Sequence, residues 1–151
     1  MTTRISDLPP ALAQRLVGQA IVVIDGECVL CSANLQVTLR LDRQKRFKFA
    51  TAQSAFGSEL YEALGLSTDP YDTYLVISEG QVYSHSTAAL VQLTRLGGVW
   101  RLMHIGWLIP RPLRDALYRL IARNRYRWFG RHDQCLMPSS ELKDRFVTDL
   151  A

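Results

Sequence analysis

Cysteine is scarce in this 151-residue chain: there are three, an odd number. A small secreted module stapled by disulfides needs more of them, in pairs, so that class is excluded. Long apolar runs are also missing. The longest candidates, 99–110 and 20–24, fall short of the roughly 18 residues of a membrane helix, and Arg101 and His104 interrupt the first. The opening stretch MTTRISDLPPALAQRLVGQA has neither the apolar core nor the small-residue cleavage site of a signal peptide. Nine glycines and six prolines are too few for a fibrous or disordered chain. No glycine-rich phosphate loop and no Ser-His-Asp ordering is present. What remains is a soluble single domain, expected in the cytoplasm and long enough to bury a core.

Acidic residues are the minority, 14 against 18 basic ones, for a net charge of +4. The excess is uneven: Arg111, Arg114, Arg119, Arg123, Arg125, Arg127 and Arg131 crowd one late stretch, with Asp115 and Asp133 nearly the only acids nearby. Such a run is either the solvated face of a helix or a surface for an anionic partner such as a lipid headgroup or an acidic protein. Nucleic acid is the less expected partner.

Read along the chain, residues 1–19 form a leader in which Pro9 and Pro10 start a short helix. Residues 20–151 form one domain. It opens on AIVVID (20–25), a continuous β-branched run that predicts a strand buried on both faces. Leu30, Ala33, Val37 and Leu41, broadened by Leu35 and Leu39, then recur at helical spacing. A strand over 47–51 and a helix over 53–64 follow, and TYLVIS-EG-QVYS (73–84) predicts a β-hairpin with a two-residue turn. Ser86 is placed to N-cap the next helix, and an apolar helix is expected over 99–108. Within it Trp100, Met103 and Trp107 form a stripe that reads as core. From Pro112, the residues Leu113, Leu117, Leu120, Ile121, Asn124 and Trp128 mark a last long helix. A loop with Cys135 and Pro138 and a short C-terminal helix finish the chain. A βαβ unit feeding an antiparallel hairpin, with helices over the sheet, predicts a thioredoxin-like α/β fold.

The chemistry-bearing stretch is Asp25-Gly26-Glu27-Cys28-Val29-Leu30-Cys31. A C-x-x-C between a strand and a helix puts the first sulfur at the helix N-terminus, where unpaired N–H groups and the dipole stabilise a thiolate. At that spacing Cys28 attacks a substrate disulfide and Cys31 resolves the mixed disulfide. Gly26 permits the tight turn. A second reading stays open: Cys28, Cys31, His132 and Cys135 make a Cys₃His zinc set or a redox sensor, although its halves lie far apart in sequence. Cys135 is otherwise a structural thiol, and His85 and His104 read as packing or surface residues.

DGECVLC after a hydrophobic strand resembles the signature of the DCC family, predicted thiol–disulfide oxidoreductases named for an Asp-Cys-Cys motif. The resemblance extends through Gln53-Ser54, the hairpin with Ser86-Thr87-Ala88-Ala89-Leu90, and Asn124-Arg125-Tyr126-Arg127-Trp128-Phe129-Gly130 with Cys135 and Pro138. It covers about residues 21–138 and implies a thioredoxin-like fold. It also implies Cys28 as nucleophile, Cys31 as resolving thiol and Asp25 as the remaining signature residue, either capping the turn or accepting a proton from Cys31. Arg125 is expected either to pair with Asp25 or Asp72 or to sit solvated beside core aromatics. The implied partners are a protein or small-molecule disulfide and an electron donor, with no organic cofactor. One departure from thioredoxins stands out. The place of their cis-proline falls near Asp72-Thr73, with Pro70 two residues early.

Overall fold

The computed structural model describes residues 2–26, 29–43, 45–66, 74–96, 98–130 and 146. Ile21–Ile24 (β2) is the central strand, every residue of it buried. It pairs in parallel with β3 (Lys48–Thr51) through the helix α2 (Val29–Leu41), and antiparallel with β4 (Leu75–Ser78). β4 turns into β5 (Gln81–Ser84) through Glu79 and Gly80, both at positive φ (51° and 76°). That is the mirror-image turn whose twist matches a two-residue hairpin. Residues 2–16, read from sequence as a leader, supply the edge strand β1 (Thr2–Arg4) and the helix α1 (Pro10–Leu16). The order is β1-β5-β4-β2-β3. The mixed sheet with helices on both faces is a thioredoxin-like α/β fold.

Alternation along the strands divides the core into two layers. Ile21, Val23, Leu75 and Ile77 pack with Leu12 and Leu16 of α1 and with Phe56 and Leu60 of α3 (Ala55–Ala63). Val22, Ile24, Val76 and Phe49 face the other way, onto Leu35 of α2 and onto Ala88 and Val91 of α4 (His85–Arg95). A 3-10 segment, Gly98–Leu108, packs on α4, and α5 (Arg111–Phe129) lies across α2 and α4. The apolar helix expected over 99–108 is there, wound as a 3-10 helix.

Two helices turn a different face inward than their apolar spacing predicts. In α2, Ala33 and Val37 are exposed, whereas Leu35 and Thr38 are buried and Cys31 and Leu39 half-buried. The polar residues of that inner face bond one another, which removes the penalty of burying them. In α5, the predicted apolar stripe points to solvent while Arg125 is buried. Ser86 also does not cap α4. The helix begins at His85, and the Ser86 hydroxyl donates to Asp115 Oδ1 at 2.5 Å.

Candidate active site

The end of β2 sets the site. Asp25 follows the last residue of that strand and is buried, as is Gly26. The Gln53 side chain clamps both: its Nε2 donates to Asp25 Oδ1 at 2.6 Å, and its Oε1 accepts the Gly26 N–H at 3.0 Å. Only one orientation of the amide satisfies both partners. Gln53 is held in the turn before α3, where the Ser54 hydroxyl accepts the Gly57 N–H at 3.0 Å as an N-cap. At Gly57 any larger residue would put its Cβ 2.3 Å from the Thr51 carbonyl oxygen, so α3 approaches the end of β3 only because of that glycine.

From the far end of the chain, α5 delivers a cation to the same carboxylate. Arg125 Nη2 donates to Asp25 Oδ2 at 2.9 Å, with the two side chains 7% and 3% exposed. The Tyr126 hydroxyl donates to the same oxygen. The guanidinium also lies 4.8 Å from the centre of the Tyr126 ring. Of the two sequence readings of Arg125, the structure selects pairing with Asp25; Arg127 is exposed.

Cys31, in the first turn of α2 and half-buried, opens onto a cavity of about 330 Å³ that Asp25 and Arg125 also line. Most of the remaining lining is apolar, with a polar wall to which Asn34 of the same helix, Tyr74 and Gln92 contribute. There Asn34 Nδ2 donates to the Tyr74 hydroxyl at 3.0 Å, the Tyr74 hydroxyl donates to Gln92 Oε1, and Gln92 Nε2 donates to Thr38 Oγ1 at 2.6 Å. Thr38 returns its hydroxyl to the Asn34 carbonyl at 2.8 Å. The Tyr74 backbone N–H donates to the Tyr118 hydroxyl at 2.8 Å, tying the start of β4 to α5. Burial pushes the Tyr74 phenol well above its ordinary range despite the Asn34 hydrogen bond, so it stays a hydrogen-bond donor across the neutral range. Burial likewise raises the Tyr61 phenol.

Asn34, Gln53, Tyr74, Gln92 and Tyr118 were not singled out from the sequence as site residues. The available signal was polar residues recurring at three and seven positions after Cys31, namely Asn34 and Thr38. Of the predicted residues, the structure brings Asp25, Gly26, Cys31 and Arg125 together. Cys28, Asp72, His132 and Cys135 lie outside the described residues, as does the region of Pro70. The zinc set is therefore represented by Cys31 alone; among the described residues no group of three or more His, Cys, Asp or Glu is arranged to hold a metal. His85 packs edge-on against Tyr118 at 5.4 Å, and His104 is exposed.

Comparison with known proteins points the same way. A family model described as DCC1-like thiol-disulfide oxidoreductase matches residues 22–131. The chain is 39% identical over 127 residues to the uncharacterized protein YuxK of Bacillus subtilis (strain 168), covering 84% of this chain and 93% of that one. It is 29% identical over 116 residues to a chloroplastic DCC family protein of Arabidopsis thaliana, covering 76% of this chain and 67% of the relative. No solved structure matches it.

Proposed function

The chain belongs to the DCC1-like thiol-disulfide oxidoreductase family, and we propose that it cycles Cys28 and Cys31 between dithiol and disulfide, acting in the cytoplasm. The observation that carries this reading is Cys31 in the first turn of α2, opening onto the cavity at the carboxyl end of β2. Cys28 immediately precedes Val29, the first residue of that helix. A thiolate there gains from the helix dipole and the free N–H groups of the first turn.

In the forward direction, the Cys28 thiolate attacks one sulfur of the substrate disulfide, and the other sulfur leaves as a thiolate that takes up a proton. Cys31 then loses its proton and attacks the Cys28 sulfur, releasing the second substrate thiol. The substrate gains two electrons and the protein is left as the disulfide, which a dithiol donor reduces by the reverse exchange. Asp25 acts in this scheme as a positioning residue. Its charge is matched by Arg125, and its oxygens hold Gln53 and Tyr126, so it fixes the turn carrying the cysteines. For the same reason Arg125 contributes little net positive field to the thiolate.

The test is reduction of insulin by the purified protein with a dithiol donor, in wild type, Cys28→Ser and Cys31→Ser. Cys28→Ser abolishes turnover, and Cys31→Ser accumulates a mixed disulfide with substrate. Unchanged turnover in Cys28→Ser overturns the mechanism. A Cys28 pKa from alkylation rates clearly below the free-thiol value of about 8.5 is the accompanying expectation.

A further inference from the structure

Eleven of the thirteen exposed large apolar side chains among the described residues fall between positions 102 and 129. On α5 they are ordered. At about 100° per residue, Leu113, Leu117, Leu120, Ile121 and Trp128 fall in one sector roughly 100° wide. It flanks the face that carries Tyr118, Ala122 and Arg125 toward the cavity, with Ile121 at the shared edge. Leu113, Leu117 and Trp128 are 61%, 59% and 54% exposed. Asn124, the polar residue inside this sector, turns its amide onto the Leu120 carbonyl at 2.8 Å.

Arg119, Arg123 and Arg127 are exposed and spaced i, i+4, i+8, so they form a second row along one edge of the apolar sector. The 3-10 segment continues the apolar surface with Leu102, Ile105 and Leu108, and Arg114 stacks on Trp107 at 4.9 Å to join the two elements. Between 98 and 130 the one acid is Asp115, and it is engaged by Ser86 and, at 3.6 Å, by Arg111.

We propose that the outer face of the 3-10 segment and α5 docks on an anionic lipid bilayer, lying in the interface plane. An apolar stripe bordered by arginines suits that boundary: leucine and tryptophan enter the acyl region while the guanidinium groups reach back to lipid phosphates. Among the described residues no helix is long and apolar enough to cross a membrane, so the proposed mode is lying on the surface rather than spanning it. A second copy of the chain is a poorer cover. Antiparallel two-fold pairing over this stripe would bring two arginine rows together, and the one acid of the segment, Asp115, is already engaged by Ser86 and Arg111. Ile121 belongs both to the stripe and to the cavity lining, so docking holds the cavity beside the bilayer.

Trp107 and Trp128 lie in this surface and are 44% and 54% exposed, so intrinsic fluorescence responds to its burial. The full-length protein is titrated with vesicles of equal parts phosphatidylglycerol and phosphatidylcholine, and with pure phosphatidylcholine, reading co-sedimentation and the emission maximum. Binding to the anionic vesicles with a blue shift, and much weaker binding to the neutral ones, is expected. Replacing Arg119 and Arg123 by Gln weakens binding about five-fold for each arginine lost. Leu117→Asp with Leu120→Asp weakens it at least about ten-fold. Both double variants keep the wild-type circular dichroism and melting temperature, because the side chains are exposed.

Absent binding to anionic vesicles overturns the proposal, as does binding unaffected by the leucine variants. A reversible dimer that Leu117→Asp/Leu120→Asp dissociates, without vesicle binding, assigns the surface to a second copy instead. Tryptophans shielded from acrylamide in the free monomer, with no lipid binding, assign it to the chain's own segment 131–151. Either result also overturns the proposal.

Discussion

Removing Arg125 tests the most consequential contact in the fold. Asp25 and Arg125 are 100 residues apart in sequence, meet at 2.9 Å, and are both almost wholly buried. At an effective dielectric near 20, two unit charges about 3 Å apart attract by roughly 5 kcal/mol, and desolvating both groups cancels much of that. The net contribution of the pair is therefore small, while the cost of breaking it is large. Arg125→Met leaves the Asp25 carboxylate buried with only Gln53 and Tyr126 among its named donors, and about 3–5 kcal/mol is expected to be lost. For a chain of this size that lowers the melting temperature by roughly 6–20 °C. Asp25→Asn strands the guanidinium and has a similar cost. The double variant removes both charges and keeps neutral donors and acceptors in place, so its stability lies closer to wild type than the sum of the single losses, with a coupling of at least about 2 kcal/mol. Urea unfolding under reducing conditions, with the slope checked for constancy, measures all four corners of the cycle. A loss below about 1 kcal/mol in Arg125→Met, or strictly additive single losses, would refute the reasoning.

Three further outcomes follow from the same geometry. Gln53→Leu deprives the buried Gly26 N–H and Asp25 Oδ1 of a shared partner and lowers stability by about 2–4 kcal/mol, measured by urea unfolding; a loss within error of zero contradicts the clamp. Gly57→Ala drives a methyl group into the Thr51 and Ala52 carbonyls and costs about 1–3 kcal/mol, whereas Gly106→Ala meets only the flexible end of Leu90 and costs less, so equal melting temperatures would count against this. Tyr61 and Tyr74 have phenols raised by burial. The unfolded chain ionises them above pH 10 and the folded protein resists, so stability is full below pH 10 and falls above it, by about 1.4 kcal/mol per pH unit for each group. The alkaline fall should be shallower in Tyr61→Phe and in Tyr74→Phe; an unchanged slope in both would contradict the assignment.

The elements that were legible in the sequence are those whose signal is local. AIVVID reads as a strand buried on both faces because its four central residues, Ile21 to Ile24, are all apolar and β-branched, and Val22 and Val23 indeed pack into opposite layers. The hairpin is legible because Glu79-Gly80 suits the left-handed turn that two-residue connections need. The C-x-x-C motif with its preceding Asp-Gly pointed to the turn at the end of β2, and Asp25, Gly26 and Cys31 are found there.

Which face of a helix turns inward was not legible. Apolar spacing assumes that the core side is the greasy side, and α2 and α5 break that assumption in different ways. In α2, Thr38 goes inward because Gln92, more than fifty residues on, meets its hydroxyl at 2.6 Å. In α5, Arg125 goes inward because Asp25 awaits it, and that leaves the leucine stripe outside. Neighbours within a few residues were enough to set the βαβ-hairpin order, the turn chemistry and the place of Cys31 at the start of α2. Only the tertiary structure decided the Asp25–Arg125 pair, the polar wall of the cavity and the exposed apolar face of α5. Those depend on which distant polar groups the folded chain brings within hydrogen-bond reach, and a buried charge goes where its partner is.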